Sequence, residues 1–455
     1  MDLTNWKNQR VLVAGLGVHG GGLAVAKWLL RQGARLTVTD LKSSSQLQSS
    51  LDRLERWRRR YKLKPVNYVL GRHRIGDFTK ADLIVQNPGM PSDVIYLKRA
   101  RRQGVPILNE AALFFALVKM PIIAVTGSKG KSTTTALLGH IFRQFYPQTI
   151  VAGNIRETAM FDVIDKILAW QKQGKSVPII LELSSWHLEG LPAVKRSPQV
   201  AVITNILPDH LNRYKSFSAY RKAKEIIAAY QGSDDWLVIN KKDKNLVALS
   251  RRVRSQVLFF QDKQVPSTWQ IKLPGKHNLS NVAAALQVAK IYSLPKGRVR
   301  QAVESFSGLP CRLEFVGEFS GVKFYNDSCA TAPVAAVAAL RVFKRKVILL
   351  AGGSDKKLPV ADLARTIKAR AKFCFLFAGD GSERLKKELQ RQRFPSRRLQ
   401  DGFEDITSML RAVKKVAKPG DVVLLSPGFA SFSTFANEFD RADKFVRAAR
   451  KFNQL

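Results

Sequence analysis

The stretch TGSKGKSTTT, residues 126–135, has the composition of a loop that binds a phosphate group. The Walker A pattern requires a glycine at position 125, where this chain has Val125, so the loop is a shorter form of that pattern. Its key residues are Gly127, Gly130, Lys131 and Ser132. Glycines let backbone N–H groups turn toward an anion at the start of the following helix. Lys131 can then reach the β- and γ-phosphates, and the hydroxyl of Ser132 can bind Mg²⁺.

Three further polar residues have roles that the pattern alone leaves open. Glu182 ends the apolar run PIILE, and His210 follows the run VAVITNI. A single acid at a strand end is usually solvated and a lone histidine is usually structural, but beside a triphosphate loop Glu182 is favoured as a metal ligand. Lys129, inside the loop, is either a second phosphate contact or a solvated charge.

A second glycine-rich loop, GLGVHG at residues 15–20, fits the G-x-G-x-x-G pattern of dinucleotide-binding folds, and Asp40 follows at the expected spacing. Taken alone, this loop favours a dehydrogenase. A redox enzyme has little need of a triphosphate loop, whereas an enzyme that joins a nucleotide-carried substrate to another molecule needs both. The two loops together favour such a joining enzyme without indicating which bond it makes.

The elements that must position these loops repeat along the chain. The apolar runs RVLVAGLG, PIIAVTG and KVILLAGG each end in small residues and lead toward a helical pattern, and SFSAYRKAKEIIAAY predicts another helix. This order is typical of parallel sheets, whose ligands bind at the carboxyl ends of the strands. The sequence predicts an α/β protein of three domains. They are a Rossmann-like N-terminal domain at 1–109, a central P-loop-type ATPase domain at 110–308 and a C-terminal Rossmann-like α/β domain at 309–455.

The composition argues against several classes of protein. The net charge of +41 over 455 residues suggests nucleic-acid binding, but basic residues occur throughout the chain without an aromatic-interleaved recognition element. We therefore expect no specific nucleic acid, only a field that attracts anionic nucleotides. Three scattered cysteines argue against a disulfide framework or zinc ribbon and indicate a reducing compartment. The start of the chain lacks a signal-peptide pattern, and Lys119 and Pro121 interrupt the longest apolar window, so we expect a cytoplasmic protein without a membrane span.

Seven motifs resemble those of the Mur ligases in both content and order. They are TGSKGKSTTT, ELSSWHLEG, DHLNRY, YRKAK, LPGKHNLSNVAAAL, YNDSCAT and LLSPGFASF. The GLGVHG start, TVTD, NPG and the LLSPGFASF ending are most similar to those of the family members that add D-glutamate. The resemblance extends over essentially the whole chain.

The resemblance implies an ATP-dependent amide-bond ligase of peptidoglycan synthesis. In that reaction ATP phosphorylates the carboxylate of UDP-N-acetylmuramoyl-L-alanine, the amine of D-glutamate attacks the acyl phosphate, and phosphate leaves from a tetrahedral intermediate. Mg²⁺ and lysine neutralise the charge that develops on the transferring phosphoryl group. The resemblance also implies two Mg²⁺ ions, a carbamylated lysine as a metal ligand, and a monomer.

The resemblance, transferred motif by motif, also implies roles for individual residues. The catalytic residues would be Lys131, Glu182, His210 and Lys224, and the metal ligands would be Ser132, Glu182, His210 and the carbamate of Lys224. The ATP contacts would be Gly127, Ser128, Lys129, Gly130, Lys131, Ser132, Thr133, Asn278, Asn281, Arg312 and Asp327. The UDP-sugar contacts would be Val18, His19, Asp40, Gly89, Asn154, Ser184 and His210. The D-glutamate contacts would be Thr331, Lys356, Ser431 and Phe439.

Three positions depart from the family pattern. Cys329 stands where many relatives carry lysine or threonine, Lys129 replaces a common asparagine, and Glu438 occupies the usual place of an aromatic residue, with Phe439 next. These departures leave open another Mur-type or folylpolyglutamate-type ligase with a different amino-acid specificity. The Rossmann-like opening loop and the lack of a DNPR-like stretch in the sequence argue against most of these. The basic charge leaves open a nucleic-acid-binding P-loop ATPase.

Overall fold

Parallel strands and helices alternate along the chain and form three sheets. The computed structural model describes residues 5–17, 20–155, 158–209, 213–275, 277–431 and 434–454. The prediction of three α/β blocks is confirmed, and each block contributes its own sheet.

The first sheet is parallel, with strand order β3-β2-β1-β4-β5. Its strands are β1 (Arg10–Ala14), β2 (Arg35–Asp40), β3 (Asn67–Leu70), β4 (Leu83–Gln86) and β5 (Ile107–Asn109). The helices between them are α1 (Gly21–Arg31), α2 (Ser44–Arg60), α3 (Ile75–Thr79) and α4 (Ile95–Arg102). The glycine loop at residues 15–20 joins β1 to α1, as the sequence predicts.

The second sheet is also parallel, with strand order β11-β10-β9-β6-β8-β7. Helix α5 (Glu110–Leu117) precedes it, and its strands are β6 (Ile122–Thr126), β7 (Ile150–Gly153), β8 (Ile179–Glu182), β9 (Val200–Ile203), β10 (Trp236–Asn240) and β11 (Gln256–Phe260). Its helices are α6 (Lys131–Arg143), α7 (Ile164–Lys172), α8 (Ser185–Leu188), α9 (Phe217–Glu225) and α10 (Lys244–Ser250), followed by α11 (His277–Ile291) and α12 (Lys296–Ser305).

The third sheet has the order β12-β13-β17-β14-β15-β16, with β12 antiparallel to β13 and the other pairs parallel. Its strands are β12 (Glu314–Phe319), β13 (Val322–Asn326), β14 (Val347–Ala351), β15 (Ala371–Phe377), β16 (Leu399–Phe403) and β17 (Val422–Leu425). Its helices are α13 (Pro333–Val342), α14 (Ala361–Arg370), α15 (Asp380–Arg391), α16 (Ile406–Lys414) and α17 (Glu438–Arg450).

The central strands explain why the apolar runs of the sequence become β-structure. Every residue of β6, β8 and β9 is buried, as expected for strands that helices cover on both faces. One prediction is wrong in its extent: the helix expected over SFSAYRKAKEIIAAY ends at Glu225 and continues as a 3₁₀ turn at Ile226–Ala228.

The chain divides into two compact units. The first comprises Met1–Trp269 and Leu279–Val303 and contains the first two sheets, and the second comprises Gln270–Asn278 and Glu304–Leu455 and contains the third. Within the first unit, one apolar core includes strands of both sheets, and Trp28 of α1 packs edge-on against Phe161 with ring centroids 5.2 Å apart. No helix of the described part of the chain is long and apolar enough to cross a membrane.

Candidate active site

The phosphate loop at residues 127–130 joins β6 to α6 and needs glycine at both of its ends. Gly127 has a φ of 147° and Gly130 a φ of 87°. A Cβ on Gly127 would lie 1.9 Å from Thr204 Oγ1, and one on Gly130 would lie 2.3 Å from Asn281 Oδ1. Side chains at either position would therefore close the loop and strain its backbone. Helix α6, whose first turn includes Ser132 and Thr133, presents its N-terminus at this loop.

The segment after β9 holds the loop in shape. Asn205 accepts hydrogen bonds from the backbone N–H of Ser128 through its carbonyl, at 2.9 Å, and from that of Lys129 through its side chain, at 3.0 Å. Thr204 Oγ1 donates to the Lys129 carbonyl at 2.6 Å, and the Ser128 hydroxyl donates to the Leu207 carbonyl at 2.9 Å. Because these bonds form within the folded chain, the loop is already organised for an anion.

The two lysines of the loop lie in different surroundings. Lys131 Nζ folds back over the loop and donates to the carbonyls of Gly127 at 2.9 Å and Ser128 at 3.2 Å. Lys129 instead forms an ion pair with Asp209 at 3.1 Å, with about half of its side chain exposed. The sequence left the role of Lys129 open, and in this structure it is a partly solvated, paired charge.

Glu182 is a buried carboxylate at the same edge of the sheet. It ends β8, where it pairs in register with Val125 of β6, and it is 1% exposed. Its Oε1 accepts a hydrogen bond from Asn154 Nδ2 at 3.0 Å, while its Oε2 has no hydrogen-bond partner among the described residues. A buried carboxylate oxygen without a donor is costly unless a cation binds it. Glu182 is therefore suited to hold a metal ion.

Lys224 of α9 is a buried lysine close to these charges. It is 2% exposed, and its Nζ lies 4.9 Å from the ring centroid of Tyr220. Burial, reinforced by the neighbouring charge of Lys131, lowers the pKa of Lys224 to about 6, while Asp209 and Glu182 oppose the shift. Its amine is thus mainly neutral at pH 7. A neutral amine is the form that reacts with CO₂, as the predicted carbamate requires.

In the first sheet, Asp40 shapes the glycine loop through backbone amides. Its Oδ2 accepts from the N–H of Gly17 at 3.2 Å, and its Oδ1 accepts from that of Lys42 at 3.0 Å. Gly89 is held by Asn87, whose Oδ1 accepts from the Gly89 N–H at 2.8 Å. Asn87 Nδ2 also donates to the Gly15 carbonyl at 3.1 Å and so links the two loops. Sequence reasoning named Gly89 but missed Asn87, although the NPG motif contains it.

Arg213 joins the loop after β4 to the helix after β8. Its guanidinium lies 4.6 Å from the Trp186 ring centroid and donates to the Gly89 carbonyl at 3.2 Å and to Glu189 at 3.4 Å. Ser184 caps α8 by accepting from the His187 N–H at 3.2 Å. Sequence reasoning missed Arg213, although it lies in the quoted motif DHLNRY.

Not all of the predicted residues can be placed together. Val18, His19 and His210 lie outside the described residues, so their predicted roles have no structural description. Asn281 contacts the phosphate loop beside Gly130, whereas Asn278 belongs to the second unit, where its side chain donates to the Pro274 carbonyl at 2.7 Å. No cluster of three or more acidic, histidine or cysteine side chains that could bind a metal is found in the part of the chain that the structure describes.

The second unit gathers its predicted residues at the carboxyl edge of the third sheet. Asp327 is buried after β13 and accepts from the Ser426 hydroxyl at 2.8 Å and from the Leu313 N–H at 3.2 Å. Burial raises the pKa of Asp327 to about 7, against the effect of these hydrogen bonds and of Arg312. Its carboxylate can therefore exchange a proton near neutral pH.

The residues predicted to bind D-glutamate lie on two neighbouring segments and one helix. Lys356 Nζ donates to Thr331 Oγ1 at 3.1 Å. Ser431 is 1% exposed, and its hydroxyl has no hydrogen-bond partner among the described residues. Ala430, which precedes it, pairs with Ser354, two residues before Lys356. Phe439 is the second residue of α17, and its N–H donates to the Asn437 side chain at 2.9 Å.

A buried arginine fixes the segment that carries Asp327. Arg441 of α17 is fully buried. Its Nε donates to the Ser328 hydroxyl at 2.9 Å, and its Nη2 donates to the Ser328 carbonyl at 2.9 Å. Burial lowers the pKa of Arg441 to about 10. Sequence reasoning missed this residue because an arginine in a helix rich in charged residues is expected to be exposed to solvent.

Models of three protein families match consecutive parts of the chain. The N-terminal domain of MurD-like Mur ligases matches residues 9–109, the Mur ligase middle domain matches residues 125–289, and the glutamate ligase domain of Mur ligases matches residues 311–429. The second model spans the phosphate loop, Glu182 and Lys224, and the third spans Asp327 and Lys356.

Curated relatives match over nearly their full length. The chain is 40% identical to the UDP-N-acetylmuramoylalanine–D-glutamate ligase of Roseiflexus sp. (strain RS-1), covering 98% of this chain and 99% of the relative. It is 35% identical to the enzyme of the same name from Geotalea daltonii, covering 98% of each.

Solved structures share the fold at low identity. The UDP-N-acetylmuramate-alanine ligase MurC of Thermotoga maritima superposes with a TM-score of 0.60 at 18% identity, covering 98% of this chain and all of that one. The MurF ligase of Thermotoga maritima, solved in complex with ADP, has a TM-score of 0.58 at 17% identity and covers 98% of this chain and 96% of that one.

Proposed function

The chain belongs to the Mur ligase family, and we propose that it joins D-glutamate to UDP-N-acetylmuramoyl-L-alanine in an ATP-dependent reaction of peptidoglycan synthesis. The observation that carries this proposal is the carboxyl edge of the second sheet, where a preformed phosphate loop adjoins the buried groups Glu182 and Lys224. The nearly full-length similarity to ligases of this name supports the choice of substrates.

The phosphate loop and Lys131 bind the triphosphate of ATP and stabilise transfer of its γ-phosphoryl group. The substrate carboxylate attacks the γ-phosphorus, the bond to ADP breaks, and an acyl phosphate forms. The Lys131 ammonium, which here donates to the Gly127 carbonyl of the loop, and the N-terminal amides of α6 would stabilise the charge that develops on the transferring oxygens. The D-glutamate amine, in its neutral form, then attacks the acyl carbon, the C–O bond to phosphate breaks, and the nitrogen loses one proton to the departing phosphate or to solvent as the amide bond forms.

Glu182, Ser132, His210 and a carbamate on Lys224 would hold Mg²⁺, with two ions proposed. The unpartnered, buried Oε2 of Glu182 supports this assignment. When bound, Mg²⁺ supplies charge neutralisation for the phosphates. Glu182, Ser132 and the carbamate would provide oxygen ligands, and His210 would provide a nitrogen ligand.

Carbamylation of Lys224 would place a negative charge where the buried amine is mainly neutral. The neutral amine adds to CO₂, a bond forms between Nζ and carbon, and one proton is lost to solvent. The protonated amine is repelled by Lys131, which helps to lower its pKa, whereas a carbamate is attracted to the same cation. The carbamate also provides the oxygen atoms that Mg²⁺ prefers.

The remaining predicted residues are proposed as substrate contacts. Asp40, Gly89, Asn154 and Ser184, with Val18, His19 and His210, are proposed to bind the UDP-sugar. Thr331, Lys356, Ser431 and Phe439 are proposed to bind D-glutamate, and the contact between Lys356 and Thr331 supports a common site for two of them. Arg312, Asp327 and Asn278 are proposed to contact ATP together with Asn281.

We also propose domain boundaries at residues 1–109, 110–308 and 309–455 and a monomeric enzyme. The ranges of the three family models support these boundaries.

A direct test is to supply the purified chain with ATP, Mg²⁺, D-glutamate and UDP-N-acetylmuramoyl-L-alanine and to measure phosphate release and the dipeptide product. Product that requires all four components supports the proposal. ATP hydrolysis stimulated by DNA or RNA, without ligation, would instead favour a nucleic-acid-dependent ATPase.

A further inference from the structure

Two cysteines of the second unit lie side by side at the open end of a β-hairpin. Cys311 precedes β12 and Cys329 follows β13, the two strands that form the hairpin. The Cys329 N–H donates to the Cys311 carbonyl at 3.1 Å, and the Cys311 thiol donates a hydrogen bond to the Cys329 sulfur. Neither cysteine is in a disulfide in this structure. The fold therefore brings two reduced sulfurs into direct contact.

The surroundings give the two thiols different reactivities. Cys329 is partly exposed, and the hydrogen bond from Cys311 lowers its pKa, with further help from Arg312 and against the effects of burial, Glu438 and Asp327. Cys311 is 2% exposed and lines a cavity of about 300 Å³. Since the thiolate is the nucleophile, Cys329 is the residue that reacts first with an oxidant.

The third cysteine provides an internal comparison. Cys374 lies in the middle of β15, is fully buried, and burial raises the pKa of its thiol. It should stay reduced under conditions that oxidise the hairpin pair.

We propose that Cys311 and Cys329 form a reversible disulfide when the protein meets a peroxide, and that this bond weakens the use of ATP. The Cys329 thiolate attacks one peroxide oxygen, the O–O bond breaks, and a sulfenic acid forms with release of water or an alcohol after protonation. The Cys311 thiol then attacks the sulfenic sulfur, the S–O bond breaks, and water leaves as the S–S bond forms. The peroxide is reduced by two electrons, and the two thiols are oxidised by two.

The disulfide would act on residues proposed to contact ATP, so its regulatory effect rests on the proposed function. Arg312 follows Cys311 directly, and Asp327 lies two residues before Cys329 and accepts from the Leu313 N–H. Cys311 and Leu313 both have left-handed backbones, with φ of 63° and 49°. A disulfide of about 2.05 Å would tie together the two segments that hold Arg312 and Asp327 and restrict how they can adjust to ATP. Cytosolic disulfides are usually transient and redox-sensing, which fits this assignment.

The pairing can be read by peptide mapping without an activity assay. Trypsin should place Cys311 in the peptide 301–312, Cys329 in 324–341 and Cys374 in 373–384. The reduced full-length chain is treated with hydrogen peroxide, alkylated, digested and analysed by mass spectrometry, and ligation is assayed on the same sample. We expect a linked 301–312/324–341 peptide, an unmodified Cys374 peptide, and dithiothreitol-reversible loss of turnover. Because a displacement near 1 Å can cost up to about a hundredfold, we expect a loss of about tenfold, mainly as a higher KM for ATP.

Matched variants distinguish the effect of a bond between Cys311 and Cys329 from the effect of oxidation elsewhere in the protein. Cys329→Ser and Cys311→Ala should each abolish the linked peptide and the reversible loss, whereas Cys374→Ala should behave as the parent chain. Thermal melting checks that each variant is folded. Lack of the linked peptide in the parent chain, or its formation with unchanged ATP dependence, would overturn the inference. A chain that forms the linked peptide but ligates nothing would instead count against the proposed function, together with the regulatory effect that depends on it.

Discussion

The side-chain amide of Asn154 donates a hydrogen bond to Glu182 Oε1 at 3.0 Å, while Glu182 Oε2 stays buried without a hydrogen-bond partner among the described residues. Asn154 follows β7 and Glu182 ends β8, so two neighbouring strands build this arrangement. Asn154 orients the carboxylate and leaves one oxygen for a cation. This arrangement is what makes Glu182 the strongest candidate for a metal ligand in the first unit.

Replacing Glu182 with glutamine should separate metal binding from folding. Glu182→Gln retains an acceptor for Asn154 but removes the buried charge, so we expect the Mg²⁺ concentration for half-maximal activity to rise about 10–100-fold. The metal-free variant should melt at a higher temperature than the parent chain, because a buried carboxylate with an unpaired oxygen is lost. A Mg²⁺ titration of phosphate release and a thermal melt measure the two effects. Glu225→Gln, which breaks an ion pair with Arg252, is the control, and an identical Mg²⁺ titration for both variants would contradict the assignment.

The two loop lysines should differ strongly on substitution. Lys131→Ala should lower ATP-dependent turnover by at least about 100-fold, because its ammonium stabilises charge at the transferring phosphoryl group. Lys129→Ala should lower turnover only a few-fold, because the Lys129 charge is about half exposed and already paired with Asp209, and exposed ion pairs contribute little. Steady-state phosphate release with circular dichroism as a folding check tests both variants. Equal losses in the two would show that the loop uses both cations.

Lys224 should be essential only through its carbamate. Lys224→Ala should lose about 100-fold in activity, the upper part of the range for groups that support a metal site, and acetate should restore part of it by supplying carboxylate oxygens. Lys222→Ala, on an exposed position of the same helix, is the matched control. Depleting CO₂ should lower the activity of the parent chain and leave that of Lys224→Ala unchanged. Full activity in Lys224→Ala would rule out the carbamate.

Glu110 should make the stability of the first unit depend on pH. This buried carboxyl lies 3.9 Å from His187, and burial raises its pKa to about 7 from the usual 4.5. The folded protein therefore retains the proton between pH 4.5 and 7 while the unfolded chain releases it, so stability falls as the pH rises through this range. The cost approaches roughly 3–4 kcal/mol above pH 7, at about 1.4 kcal/mol per pKa unit.

Glu110→Gln tests this linkage. The variant has no proton to lose, so its unfolding free energy should not show this fall between pH 5 and 8 in urea denaturation. His187 contributes a slope of the opposite sign, because burial lowers its pKa to about 4 from the ordinary 6.5, so that below pH 6.5 the unfolded chain binds a proton that the folded protein does not. Both proteins carry His187, so the difference between their two curves reports Glu110. The same pH dependence in variant and parent would show that Glu110 is ionised throughout.

Much of the fold was predictable because local patterns specify it. Gly127, Gly130 and Lys131 lie on a strand–loop–helix unit, as the sequence indicates, since backbone geometry itself demands glycine there. Apolar runs that end in small residues identified the central strands. None of the edge strands β3, β5, β7, β11, β12 and β16 was predicted, because each is short or carries partly exposed residues and so gives no clear apolar run.

The electrostatics of the candidate site were not predictable in the same way. Lys224 and Arg441 each lie in a helix rich in charged residues, and only tertiary packing reveals that both are buried. The unpartnered oxygen of Glu182 and the contact between Cys311 and Cys329 join residues far apart in the chain. Spacing along the sequence cannot specify such contacts.

The most direct measurement of the central claim is an amino-acid panel assayed with ATP and UDP-N-acetylmuramoyl-L-alanine, with product identified by mass spectrometry. The account predicts one ADP and one phosphate for each new amide bond, with D-glutamate as the amino acid that supports turnover. Turnover only with a different amino acid, or ATP consumption without any amide product, would contradict it.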